Sequence, residues 1–363
     1  MKVESQSEIF LVSSSPHTHV GSAVERIMLD VLIALMPAFA ASLYFFGLDA
    51  LRLTATCVAT CLLAEWLCRK AMGRASTIGD LSAAVTGVLL AFNLPPSLPT
   101  WMAVAGSLFA ITICKQIFGG IGYNVFNPAL AARAFMLISF TGAMTHWVTP
   151  SAGWSSFMDA ATASTPLGII KEALKAIWNS FMSASAVDAT TAATPLGAIK
   201  EALKAGAPIP NFTGAAVMKL FTGNINGCIG ETSALALLLG AAYLLWRKVI
   251  TWHIPGAYIG TVLIYASILH LVAPGSSVPP QIHILSGGLI LGACFMATDM
   301  VTSPVTRKGM LLFGVGCGII TMLIRTVKSG AYPEGVSFAI LLMNAITPLI
   351  NRGCRNKVFG TKS

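Results

Sequence analysis

The chain is poor in charge. Of its 363 residues, 10% are Asp, Glu, Lys or Arg, where soluble domains carry about 25%. A further 55% are hydrophobic and the mean hydropathy is +0.76. A soluble core of this size cannot absorb so much apolar surface, whereas a bilayer can, so an integral membrane protein is expected. The first 24 residues are polar and lack an apolar h-region. No cleavable signal peptide is therefore expected, and the first spanning helix is expected to act as the insertion signal. Eight cysteines are present, but none form CxxC pairs and none flank histidines at zinc spacing. They read as small buried hydrophobes, with no zinc, iron–sulfur or other metal site. The net charge of +9 does not point to nucleic acid, because the basic residues lie between apolar runs, as cytoplasmic loops do.

What is abundant is apolar runs. A helix crosses the hydrocarbon core with about 20 mostly apolar residues. Long candidates are 26–47, 51–68, 101–118, 230–247, 254–273, 281–298, 309–326 and 335–351; shorter ones are 79–93 and 127–142. The fold class is thus an all-α integral membrane protein of about ten transmembrane helices. With the N-terminus inside, fourteen Lys and Arg residues, among them Arg69, Lys70, Arg74, Lys115, Arg247 and Lys248, fall on the cytoplasmic side. Three, Arg52, Arg325 and Lys328, fall in short outer loops. The positive-inside rule then gives N-in/C-in. Residues 1–142 form a first membrane half of five helices, 143–229 a long extracytoplasmic loop, 230–351 a second five-helix half, and 352–363 a cytoplasmic tail.

The halves resemble each other weakly. "DLSAAVTGVLLAFNLPPSLPT" and "HILSGGLILGACFMATDMVTSP" share a small-residue start, an apolar stretch and a polar, Pro-containing break. Each is followed by a long apolar helix and a Gly-rich turn, "GGIGYNVFNPA" and "KSGAYPEGVSFA". Transport folds often build a central site from two such halves.

Polar residues inside apolar runs are costly and mark candidate sites. Asp299 ends a run, Glu231 and Thr232 begin one, Arg133 sits within one, and Asn124 and Asn127 bracket a Gly-rich break. Glu231 and Asp80 also suit helix N-termini as caps. The asparagines serve equally as turn residues or as amides for a planar, hydrogen-bonding ligand. Asp299 is less well explained as a cap, since a helix C-terminus disfavours an acid.

One polar segment occurs twice. Asp159–Ala176 and Asp188–Ala205 are identical at 15 of 18 positions, and both contain Thr-Pro-Leu-Gly. "TPLGAIKEALKA" reads as a helix start, with Thr194 as N-cap, Pro195 at the first helical position and Ile199, Ala202 and Leu203 as an apolar stripe. The same geometry offers free amides and a positive dipole end to a phosphate.

Seven stretches, "SSSPHTH", "GGIGYNVFNPALAARAF", "DATTAATPL", "TGNINGCIGETSALA", "WHIPGAYIGT", "QIHILSGGLILGACFMATDMVTSP" and "GAYPEGVSFAILLMNAITPLI", carry a resemblance over nearly the whole chain. It resembles the D-type membrane component of the bacterial Rnf electron-transport complex, a family related to the B-type component of the Na⁺-pumping NADH:quinone oxidoreductase. The resemblance implies FMN joined through its phosphate to the threonine of "AATPL", here Thr194, by a dedicated flavin transferase, on the outer side of the membrane. Thr165 departs from the motif through the preceding Ser164. The resemblance also implies a non-covalent riboflavin in the membrane part. Asn124, Asn127 and Asp299 are expected to line that pocket, from two breaks that approach each other; Glu231 and Thr232 are further flavin-site candidates. No residue is assigned a catalytic role. The implied function is flavin electron carriage in a multi-subunit translocase of the bacterial cytoplasmic (inner) membrane. That complex couples ferredoxin and NAD redox chemistry to Na⁺ or H⁺ movement, and this component is not active alone. Two alternatives carry no flavin: a two-repeat channel or solute transporter, and a structural scaffold for redox partners.

Overall fold

The computed structural model of the chain describes residues 23–148, 150, 194–197, 199, 214–231, 233–272, 278–327 and 335–354. Among them there are helices and turns but no strand. Helix α1 (Ala23–Phe46) and helix α2 (Leu48–Ala71) are 24 residues each, about 36 Å at 1.5 Å per residue and long enough for a hydrocarbon core of about 30 Å. Only Gly47, at φ +58°, separates them.

Helix α3 (Ser82–Phe92) has 11 residues and stops at Asn93, ahead of Pro95 and Pro96. Irregular backbone at membrane depth has to be covered by protein, and residues 91–96 are all buried. Helix α4 (Thr100–Ile111) runs on as a π-helical turn, Thr112–Gln116. Helix α5 (Pro128–Ser139) is capped by Asn127, whose Oδ1 accepts from the amides of Ala129 (3.1 Å) and Leu130 (3.4 Å). Asn127 thus serves as a helix N-cap through its Oδ1. Short helices α6 (Thr141–Met144) and α7 (Gly214–Thr222) follow.

Helix α8 (Ala234–Trp246) is capped by Ser233, which accepts from Ala236 N at 3.3 Å. Glu231, a cap candidate by sequence, instead ends a 3₁₀ turn two residues earlier. Asp80 likewise closes a 3₁₀ turn, Ile78–Asp80, ahead of Leu81, the residue that precedes α3. Helix α9 is His253–Val272. The run expected as one helix over 281–298 is broken. Helix α10 (Pro280–Leu285) stops, Ser286–Gly288 turns, and α11 (Leu289–Leu291) continues as a second π-helical turn, Gly292–Met296. Gly287 and Gly288 have φ +69° and +64°, which side-chain-bearing residues adopt only at a cost. Helices α12 (Arg307–Thr326) and α13 (Val336–Gly353) complete the order.

Among the described residues, five helices, α1, α2, α9, α12 and α13, are long and apolar enough to cross a membrane; α3, α5 and α8 are shorter and apolar. Such a set is what a multi-pass membrane protein requires. Without a hydrophobic drive between helices in lipid, close packing relies on small residues. Helices α9 and α12 meet in this way at Gly314, where a Cβ would lie 2.8 Å from Ile254 O. Helix α2 packs on α3 and α4, α9 on α10 and α12, α1 on α8, and α13 on both α12 and α5.

Candidate functional site

Two polar regions lie within this apolar bundle. The first is a cavity of about 80 Å³ whose lining includes Ser82, Thr86, Lys115, Asn124, Asn127 and Asp299. The breaks before α5 and after the second π-helical turn do approach each other, since Asn127 Nδ2 donates to Met296 O at 3.4 Å. The Asn344 amide, turned so that its nitrogen donates to Ile340 O, accepts from Asn127 N at 3.3 Å. Asn124 Nδ2 donates to Phe126 O (3.2 Å). Asp299 closes its own turn, accepting from Val301 N (3.4 Å) and the Thr302 hydroxyl (3.2 Å). The donors and acceptors suit the polar edge of a flavin, but the volume does not. Small-molecule pockets measure about 300–1,000 Å³, several-fold more than the 80 Å³ here.

Lys115 is not a loop charge. Its Nζ lies 2.9 and 3.0 Å from the Glu65 oxygens and donates to Ser82 Oγ (2.7 Å). Gln116 (3.0 Å) and Thr77 (2.8 Å) also donate to Glu65 Oε1. Sequence reading passed over Glu65. The signal was present: it is the single acid in the apolar run 51–68.

The second region joins both halves of the chain. Arg133, on α5, lies 3.7 Å from Glu231 with both side chains buried. Its guanidinium also donates to Asn93 Oδ1 and to Cys228 Sγ (3.6 Å). Ile229 N donates to Leu94 O at 3.1 Å, which clips the 3₁₀ turn of Glu231 to the break after α3. Arg325 was assigned to an outer loop on charge counting. It lies instead in the last turn of α12, buried, and donates to the carbonyls of His283 (2.5 Å), Ser286 (3.1 Å) and Gly287 (3.4 Å). Arg52, also counted as a loop charge, does the same for the break after α3, donating to Pro96 O (3.3 Å) and Leu98 O (3.2 Å).

The Thr194 turn meets this second region at Gly287, through Leu196. The Thr194 hydroxyl accepts from Gly197 N at 3.1 Å and Pro195–Gly197 is helical, the geometry of a helix start. Leu196 and Ile199 are buried against Leu220, Val278 and Ile282. The Leu196 Cδ1 occupies the space a Gly287 Cβ would need, so the Thr194 turn rests on the α10–α11 break. A phosphoester at this oxygen would find the Gly197 amide as a donor, and in that respect the residues fit. Thr165 and Thr232 lie outside the described residues. Of the sequence candidates, Asn124, Asn127 and Asp299 are thus together in one region, and Glu231 is apart from them in the other. No group of three or more His, Cys, Asp or Glu able to hold a metal occurs among the described residues.

The profile of the NQR2, RnfD, RnfE family matches residues 11–360. The chain is 44% identical over 353 residues to the D component of the Na(+)-translocating ferredoxin:NAD(+) oxidoreductase complex of Acetobacterium woodii, covering 96% of this chain and 95% of that one. It is 39% identical to the D component of the proton-translocating ferredoxin:NAD(+) oxidoreductase complex of Clostridium ljungdahlii, covering 98% of each. It is 40% identical to the D component of the ion-translocating oxidoreductase complex of Stutzerimonas stutzeri, covering 94% of this chain and 93% of that one. With a match of this length and identity, the chain belongs to the NQR2, RnfD, RnfE family.

Proposed function

We propose that this chain is the flavin-carrying membrane component of a redox-driven ion pump, a translocase that couples ferredoxin/NAD electron transfer to Na⁺ or H⁺ movement. It works in the bacterial cytoplasmic membrane with the other subunits of its complex and is not active alone. FMN is joined to Thr194 as a phosphoester by a flavin transferase. When bound, the flavin supplies electron carriage; the protein supplies position and electrostatics. The observation that carries this reading is the placement of Thr194 at a helix start, with an amide aimed at its hydroxyl, in the "AATPL" segment.

Riboflavin is a second, non-covalent flavin of the proposal. The cavity at Asn124, Asn127 and Asp299 is several-fold too small for it, so no electron step is routed through that cavity. The chain crosses the membrane ten times, N-in/C-in, in two related halves, with residues 143–229 outside. The packing supports this: α2 on α4 matches α9 on α12, and α4 on α5 matches α12 on α13. The test is peptide mass mapping of the full chain co-expressed with a flavin transferase. A mass increase equal to FMN minus water is expected on the peptide containing Thr194. A flavin-free chain under those conditions would favour the channel reading.

A further inference from the structure

The glycine pair that breaks the α10–α11 run brings two opposite charges to the seat of Thr194. Arg325 Nη2 lies 2.9 Å from the position a Gly287 Cβ would take, and Leu196 Cδ1 crowds the same position. One residue on, Glu231 Oε1 lies 2.7 Å from the corresponding position at Gly288. Leu196 is two residues from Thr194. The guanidinium and the carboxylate therefore flank the same two-residue turn on which the Thr194 segment rests. Both are buried, and both are fixed, Arg325 by three carbonyls and Glu231 opposite Arg133. Screening by salt is weak for buried charges, and their fields reach several ångströms.

We propose that Arg325 and Glu231 set, with opposite signs, the reduction potential of the flavin on Thr194. They are positioning residues acting through the Gly287–Gly288 turn. Taking up an electron adds negative charge to the flavin, so a fixed cation nearby favours the reduced form and a fixed anion disfavours it. Satisfying the carbonyls of residues 283–287 is a structural duty of Arg325 that explains its place but predicts no effect on potential. The proposal rests on Thr194 carrying the flavin.

The test is an equilibrium redox titration of the full chain, flavinylated in the cell by a co-expressed flavin transferase and held in lipid nanodiscs. The Thr194→Val spectrum is subtracted to isolate the attached flavin. Glu231→Gln keeps the shape and removes the charge. It should raise the potential, by about 59 mV for a tenfold change in the reduced-to-oxidised ratio of a one-electron couple. Arg325→Met should lower it by a similar amount, while Arg325→Lys keeps the charge and should stay near wild type. Where Arg325→Met fails to fold, Glu231→Gln and Arg325→Lys decide. Purely structural damage would not move the two neutralising variants in opposite directions. A normal load of attached flavin with an unmoved potential in Glu231→Gln, or a shift downward, overturns this proposal alone. Absence of flavin on Thr194 in the wild type overturns it together with the reading it rests on.

Discussion

Thr194 Oγ1 has one chemistry in the structure and another in the proposal. As a hydroxyl it caps a helical turn by accepting the Gly197 amide. As a phosphoester it would hand that amide to a phosphate oxygen, a stronger, charge-assisted acceptor. Thr194→Val removes the oxygen in either case. It should abolish the in-gel fluorescence of the denatured chain while leaving membrane insertion intact, whereas a cap alone predicts retained fluorescence and a loss of about 1 kcal/mol. Thr165→Val should keep the flavin; loss of fluorescence there would place the flavin on the other copy. The Glu65–Lys115 pair makes a separate demand. Both side chains are buried, and removing one partner of a buried pair costs about 3–5 kcal/mol because the other charge is stranded. Lys115→Met should therefore lower the melting temperature in detergent markedly, and Glu65→Leu combined with Lys115→Met should recover part of it. A single variant as stable as wild type would show that the pair is not coupled.

At the scale of elements, the interrupted helices govern the sites. The Ser286–Gly288 turn lets Leu196 and Glu231 approach backbone that a continuous helix would have covered. Gly288→Ala meets both a positive φ and a Cβ 2.7 Å from Glu231 Oε1. A loss of about 1–3 kcal/mol is expected, the usual cost of such strain, measured as a lowered unfolding midpoint; an unchanged midpoint would mean that the turn is slack. The breaks at the small cavity are tested by flavin content. Because 80 Å³ does not admit an isoalloxazine, Asn127→Leu and Asp299→Leu should keep the wild-type amount of extractable riboflavin. Depletion in either would show that the two breaks part to admit it. Helix existence was legible in the sequence because run length and apolarity decide it. The break at 286–288 was hidden because "ILSGGLILGACFMA" is almost wholly apolar, with only Ser286 and the Gly pair as a signal. Asn124, Asn127 and Asp299 were legible as neighbours because each sits at a visible Gly- or Pro-containing break. The Arg325, Gly287 and Leu196 contact was not, since it joins residues far apart in the chain and Arg325 lies outside the motifs.

For the whole molecule, the charge count and the contacts bear on topology independently. Arg52 and Arg325 leave the tally of outer-loop charges, since both serve buried carbonyls from within helices, and Lys115 leaves the inner tally. Lys328, the third residue counted there, lies outside the described residues. The long-range polar contacts sort the same way. If the chain alternates across the membrane ten times, Glu65, Thr77, Ser82 and Lys115 share the inner side, as do Asp30 with Arg247 (3.2 Å) and Val305 with Asn351 (3.2 Å). Arg52 with Leu98, Ser97 with His146 (3.0 Å), and Ile229 with Leu94 share the outer side. Each of these pairs joins segments that alternation places on one face, which a topology with one crossing fewer would scramble. Five crossings per half would also invert the second half relative to the first. That arrangement would put the Asn124–Asp299 cavity on the cytoplasmic side and the Thr194 turn on the other. An enzymatic reporter fused after Ser363 should then be active in the cytoplasm, and the same reporter inserted within residues 143–229 should be active only outside. Cytoplasmic activity from that insertion would put Thr194 on the wrong side for an outward-facing flavin and would overturn the ten-span arrangement with it.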